Sequence, residues 1–139
     1  MPTITIDGNQ LEFEQGQSIL DVAHQNGIKI PHYCYHPSLS VVANCRICLA
    51  EVWAPNPRND NKLEPMPKLL PTCQAPACDG NVVYTSSPKA TANQKAVMEF
   101  LLTHHPIDCP ICDQSGECDL QDYAYKYGRG VRRCDTEKI

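Results

Sequence analysis

No stretch of this 139-residue chain approaches the roughly 18 consecutive apolar residues that a membrane-crossing helix needs, so direct membrane insertion is not expected. Its opening, Met1-Pro2-Thr3-Ile4-Thr5-Ile6-Asp7, has neither the basic start nor the apolar run of a secretory signal. A basic stripe is missing too: 12 lysines and arginines against 16 aspartates and glutamates leave a formal charge of −4, which argues against nucleic acid as a partner. Internal repeats and low-complexity tracts are absent. A chain of this length buries only a modest core, and twelve prolines mark it as rich in loops.

Cysteine is what the chain has in excess. There are nine, an odd number, whereas a small secreted disulfide scaffold would carry an even set behind a signal. The cysteines are therefore expected in a reducing compartment, bound to metal. Ligation also suits a loop-rich chain, because it supplies stability that a small core cannot.

Residues 2–15 read as a hairpin. Ile4 and Ile6 alternate with threonine, Asp7-Gly8-Asn9 turns the chain, and Leu11 and Phe13 alternate with glutamate. Ser18 and Asp21 form the pattern of a capping box, opening a short helix with Ile19, Val22 and Ala23 on its apolar face and Gly27 at its end. A hairpin followed by a helix begins a β-grasp ferredoxin domain, and other small folds as well. Cys48 to Trp53 reads as a strand leaving a site. Residues 54–68, with four prolines and no period, read as a surface loop. Leu69 to Cys73 returns to the core and Asn81 to Thr85 is a last strand. Ser87-Pro88 starts a helix whose apolar face is Val97, Phe100, Leu101 and His104, ended at His105 by Pro106. A final helix spans Glu117 to Tyr127 and stops at Gly128.

Two ligand sets stand out. His105, Cys109, Cys112 and Cys118 fall within fourteen residues, a density that a folded core does not require. The C-x2-C pair grips one corner of a cuboidal 4Fe–4S cluster, Cys118 reaches back, and His105 completes the fourth iron. An imidazole in place of a thiolate removes one negative charge, the change that raises the potential of Rieske centres. Gly116 is expected to let the backbone approach closely, with nearby amides donating to cluster sulfur. Upstream, Cys34, Cys45 and Cys48 are followed by Cys73, the layout of three clustered cysteines and a distant fourth that plant-type 2Fe–2S ferredoxins use, with a longer first gap. Cys78 competes with Cys73 for the fourth place. Cys73 is preferred because it follows what reads as strand re-entry, whereas Asp79-Gly80 turns the chain directly after Cys78.

Other readings remain. Structural zinc fits a shell of three cysteines and one histidine, although the upstream set has one C-x2-C knuckle where zinc usually takes two. Upstream cysteines could also be inert core residues. Cys109-Pro110-Ile111-Cys112 mimics a thioredoxin-type redox pair but lacks the preceding βαβ context. His104 reads as a bystander, and His24, His32 and His36 lack ligand spacing.

Taken together, Ile30-Pro31-His32-Tyr33-Cys34-Tyr35-His36-Pro37, Cys45-Arg46-Ile47-Cys48-Leu49-Ala50-Glu51-Val52, Leu101 through Gln114, Gly116 through Asp122, and Tyr127-Gly128-Arg129-Gly130 resemble the N-terminal part of the large iron–sulfur subunit of NADH–quinone oxidoreductase (respiratory complex I). The resemblance covers nearly all of the chain. It implies an α+β fold: a β-grasp 2Fe–2S ferredoxin-like domain at 1–87, then a small helical 4Fe–4S domain at 88–139 with one histidine and three cysteines as ligands. It implies Cys34, Cys45, Cys48 and Cys73 on a 2Fe–2S cluster, and His105, Cys109, Cys112 and Cys118 on a 4Fe–4S cluster. No catalytic acid, base or nucleophile is implied. The implied function is relay of single electrons from a flavin- and NADH-binding subunit towards quinone, among peripheral-arm subunits on the cytoplasmic side of the bacterial inner membrane. The diaphorase-side subunit of an NAD-linked hydrogenase or formate dehydrogenase shares both motifs, and a zinc-stabilised interaction module is the reading from another class. The family continues into a further cysteine run and a molybdopterin-oxidoreductase-like region, so this chain is expected to be a fragment or truncated product. The loop at 54–68 is longer than expected for the family, and Cys134 stands where no ligand is expected.

Overall fold

The computed structural model describes residues 2–130; Cys134 lies outside them, as does the end of the second expected domain. Strands β1 (Thr3–Ile6) and β2 (Asn9–Glu12) form the expected hairpin, with Ile4 paired to Leu11 and Ile6 to Asn9. Alternation puts Ile4 and Ile6 into the core, at 1% and 0% exposure. The Asp7 carboxylate at the turn accepts the Thr85 amide at 2.8 Å and the Thr85 hydroxyl, tying the hairpin to the end of Val82–Tyr84, the strand beside β1.

Helix α1 (Ile19–Gln25) opens with the expected capping box. The Asp21 amide donates to Ser18 Oγ at 3.1 Å and the Ser18 amide to the Asp21 carboxylate at 3.2 Å. Its buried face is Ile19, Leu20, Val22 and Ala23. Strand β3 (Leu49–Asn56) runs antiparallel to β4 (Lys62–Pro65), β5 (Leu70–Pro71) and β6 (Val82–Tyr84). The main sheet has the order β2-β1-β6-β3-β4, with β1 and β6 parallel and β5 attached to β3. Packed with α1, this mixed sheet is the expected α+β, β-grasp ferredoxin-like architecture.

Two expectations fail here. Residues 54–68 are largely a hairpin, not a surface loop: Pro55 pairs with Leu63 and Trp53 with Pro65. The prolines concealed it, but Pro65 lies on β4, which ends the strand order, and Pro55 lies on β3 beyond its last pair with β6 at Trp53, so each tolerates a missing amide donor. The turn is made by a 3-10 segment, Pro57–Asn59, and by Asp60 and Asn61 at φ 55° and 57°, residues that enter the left-handed region at low cost. Helix α2 (Pro88–Leu102) starts at Ser87 as expected but buries a different face: Ala90, Gln94 and Met98, while Phe100 is 80% exposed. The contact is partly polar, since Gln94 Nε2 donates to the Thr85 carbonyl (3.2 Å) and Asn93 Nδ2 to the Arg46 carbonyl (2.8 Å). An apolar count is blind to a face chosen by such bonds.

α2 also ends at Leu102, three residues before His105. Helix α3 (Asp119–Tyr127) starts later than expected, with Cys118 itself as its N-cap. It stops at Gly128, where an added Cβ would sit 2.5 Å from the Ala124 carbonyl oxygen. Arg129 Nε reaches Glu99 at 3.0 Å, joining the end of α3 to α2.

Candidate metal centres

The upstream set is gathered by three segments. The first carries Cys34. The second, Ala43 to Cys48, turns through two non-glycine residues in the left-handed region, Ala43 (φ 51°) and Arg46 (φ 62°), on either side of Cys45. Such conformations cost of order 1–3 kcal/mol each and persist where surroundings enforce them. Here they point amides inward: Asn44 N–H and Cys45 N–H both donate to Cys34 Sγ, at 3.3 and 3.5 Å. Asn93 of α2 holds the strained turn at the Arg46 carbonyl. The third segment brings Cys73. Its neighbour Thr72 donates from Oγ1 to the Cys48 carbonyl (2.9 Å), and the first turn of α1 donates to the same segment, Leu20 to Thr72 and Ile19 to Ala75, both at 3.0 Å.

Cys48 and Cys73 are buried, at 1% and 2% exposure, and Cys34 and Cys45 half-buried. The electrostatics show that the four thiols share one space. Burial, then Cys48, then Cys34 and Cys45 push the Cys73 thiol up to about 12. Burial raises Cys34 too, but the Cys45 and Asn44 amides outweigh it and leave that thiol lowered. Were the four to serve together as thiolate ligands, the iron of a bound cluster would supply the compensating charge. Cys78 is exposed, its Sγ 3.7 Å from the Pro76 carbonyl. Tyr35 beside Cys34 donates to Asp21 of α1, which anchors this loop at its other side.

The downstream set lies around one cavity of about 270 Å³. His105, Cys109, Cys112 and Cys118 all line it, with Leu102, Leu120, Ala124 and Tyr125 as apolar wall. Cys109–Ile111 is a 3-10 turn that sends the Cys112 amide back to the Cys109 carbonyl at 3.2 Å. Cys118 Sγ accepts the Gln121 amide at 3.4 Å, and Gln121 Oε1 accepts the Gly116 amide at 3.2 Å. The helix N-terminus favours negative charge at that sulfur. Gly116 has a φ of +90°, which favours glycine at this turn, and an added Cβ would meet no protein atom within 4 Å.

Thiol sulfur, with one imidazole in the downstream set, is the donor chemistry that iron–sulfur clusters take. Among the described residues no group of three or more His, Cys, Asp or Glu side chains is placed to hold a metal ion, and the downstream donors stand along the walls of a cavity. Sequence reasoning missed Ala43, Arg46, Asn93 and Gln121. Nothing in the sequence marks a non-glycine residue for positive φ, whereas Gln121, three residues beyond Cys118, carried a signal once Cys118 was seen as a cap.

Comparisons with known proteins match the chain in two stretches. Residues 1–88 match the 2Fe–2S iron–sulfur cluster binding domain, and residues 94–133 match the NADH-ubiquinone oxidoreductase-G iron–sulfur binding region. The chain is 42% identical over 138 residues to the G subunit of NADH-quinone oxidoreductase from Rickettsia felis, covering 99% of this chain and 19% of that protein. It is 45% identical over 125 residues to the mitochondrial NADH-ubiquinone oxidoreductase 78 kDa subunit of Neurospora crassa, covering 90% of this chain and 15% of the relative. Among solved structures, an NAD+-reducing NiFe hydrogenase in its H2-reduced state matches with TM-score 0.78 at 29% identity, covering 99% of this chain and 53% of that one. The chain thus spans about a fifth of the length of the curated relatives it matches. The cofactors that come with the two matched regions are a 2Fe–2S and a 4Fe–4S cluster. The chain belongs to the 2Fe–2S iron–sulfur cluster binding domain family, in the form found in the N-terminal region of the large iron–sulfur subunit of NADH-quinone oxidoreductase, joined to that subunit's own iron–sulfur binding region.

Proposed function

We propose that this chain is the electron-relay part of an NADH:quinone oxidoreductase, taking single electrons from a flavin- and NADH-binding partner subunit and passing them towards quinone. The supporting observation is the placement of eight soft donors in two separate sets, one under the core and one around the cavity. Cys34, Cys45, Cys48 and Cys73 would hold the 2Fe–2S cluster, and His105, Cys109, Cys112 and Cys118 the 4Fe–4S cluster, with the boundary between the two domains at 87/88. When bound, the clusters supply the one-electron chemistry. The protein holds them, excludes water from the first with buried residues, and aims amides at ligand sulfur, which tunes the potential. No residue acts as acid, base or nucleophile, so the chain alone would catalyse no turnover. It would work within a peripheral arm of such a complex at the cytoplasmic face of the inner membrane; among the described residues no helix is long and apolar enough to cross one.

The likeness to the NAD+-reducing hydrogenase favours a second reading, in which the same relay serves hydrogen oxidation. Anaerobic reconstitution with iron and sulfide should give visible absorbance and two distinct paramagnetic species on reduction. Cys73→Ser should remove the 2Fe–2S signal and Cys78→Ser should not. A colourless protein with stoichiometric zinc would overturn the relay reading.

A further inference from the structure

The two donor sets are linked by more than the backbone between them. Tyr33, next to Cys34, sets its ring against Tyr123 of α3, with centroids 5.1 Å apart at 63°. The Tyr33 hydroxyl lies 3.4 Å from the carbonyl of Asp119, next to Cys118, and 3.6 Å from Met98 Sδ on α2, with one proton to give to either. The contact is reciprocal, because the His32 amide donates to the Tyr123 hydroxyl at 3.4 Å. Tyr123 is backed in turn by Tyr127, with centroids 5.4 Å apart. One aromatic pair therefore touches the immediate sequence neighbour of a donor in each set.

We propose that Tyr33, clasped to Tyr123, is a positioning residue that fixes the distance and orientation between the two cluster sites. The proposal rests on reading the two sets as cluster ligands. Tyr33 carries no electrons in it. Electron passage falls steeply with separation, so a loose joint between the sites would scatter the rate; α3 buries no residue fully, and its other ties, packing on α2 and the Arg129–Glu99 pair, lead to α2 and not to the loop that carries Cys34. The bonds are long and individually weak, but two rings and two hydroxyls in opposite directions leave little freedom to slide.

The test uses the full chain reconstituted with both clusters, with Tyr33→Phe, which keeps the ring, and Tyr33→Leu, which does not. Two quantities are read: amide hydrogen exchange in α3, and the relaxation enhancement that one reduced cluster imposes on the other's paramagnetic signal. Exchange in α3 should quicken about fivefold in Tyr33→Phe and more than about tenfold in Tyr33→Leu. The enhancement should spread over a wider range of values while iron content stays as in the unsubstituted chain. Unchanged enhancement and exchange in Tyr33→Phe would overturn the proposal even if Tyr33→Leu failed to fold. Loss of iron from one set would overturn it too, because Tyr33 would then serve that set's own loop. Absence of two paramagnetic centres from the unsubstituted chain would instead sink the ligand assignment, and the exchange comparison would still decide the clasp.

Discussion

The two candidate cluster sites are built in opposite ways. The upstream one is set into a finished core: Ile47, Cys48, Thr72 and Cys73 are each at most 2% exposed, and the segment bearing Cys73 is bonded to the first turn of α1. The downstream one hangs on turns. Cys112 and His105 are exposed, α3 buries no residue fully, and Ile107, Ile111 and Tyr125 around it are 60%, 84% and 86% exposed. The difference teaches where the stability of each comes from. Hydrophobic burial holds the first site in shape whatever it binds, while the second has little besides its ligands and the α2 and α3 contacts.

The largest effect should come from removing iron. Metal binding that organises a site is folding free energy, on the order of 10 kcal/mol for structural zinc. Chelation should therefore strip amide protection from residues 105–127 and leave the sheet protected in hydrogen exchange. Equal loss across both regions would break the contrast. Next in size is a matched pair of truncations. Leu20→Ala, in the core at 0% exposure, should cost about 2–5 kcal/mol in denaturant unfolding. Leu120→Ala, half-buried on the cavity wall, should cost about 1 kcal/mol.

Comparable with that second truncation are two glycine substitutions on the downstream side. Gly128→Ala drives a methyl into the Ala124 carbonyl, whereas Gly116→Ala suffers only its backbone conformation, about 1 kcal/mol, so the first should lower the melting temperature more. The smallest effect concerns acid. At Asp21, burial raises the carboxyl, but hydrogen bonds from Tyr35 and Ser18 outweigh it and leave it lowered. Its contribution, under about 1 kcal/mol, is full above the unfolded value near 4 and fades as pH falls below it. Asp21→Asn should flatten the acid limb of a stability curve on the upstream side alone.

Much of this was legible beforehand where it is local. The hairpin at Asp7-Gly8, the capping box of Ser18 and Asp21, and the stop at Gly128 each rest on neighbours a few residues apart, so the pattern is written in consecutive letters. The hairpin spanning 49–65 was hidden because prolines mean loop unless the strand is known to lie at an edge, and edges exist only in an assembled sheet. The face of α2 was misjudged because Gln94 and Asn93 are placed by carbonyls at Thr85 and Arg46, on other elements.

The sequence by itself determined the chemistry: the donor types, their grouping into two sets, and the choice of Cys73 over Cys78 as candidate, since ligand identity and spacing are properties of the chain. Tertiary structure alone decided what surrounds them. It set the parallel pairing of β1 with β6, the left-handed turns at Ala43 and Arg46, the amides aimed at Cys34, and the tyrosine clasp between the sites. Each of those depends on groups from distant parts of the chain meeting at a few ångströms, where a hydrogen bond or ring contact can overrule local preference.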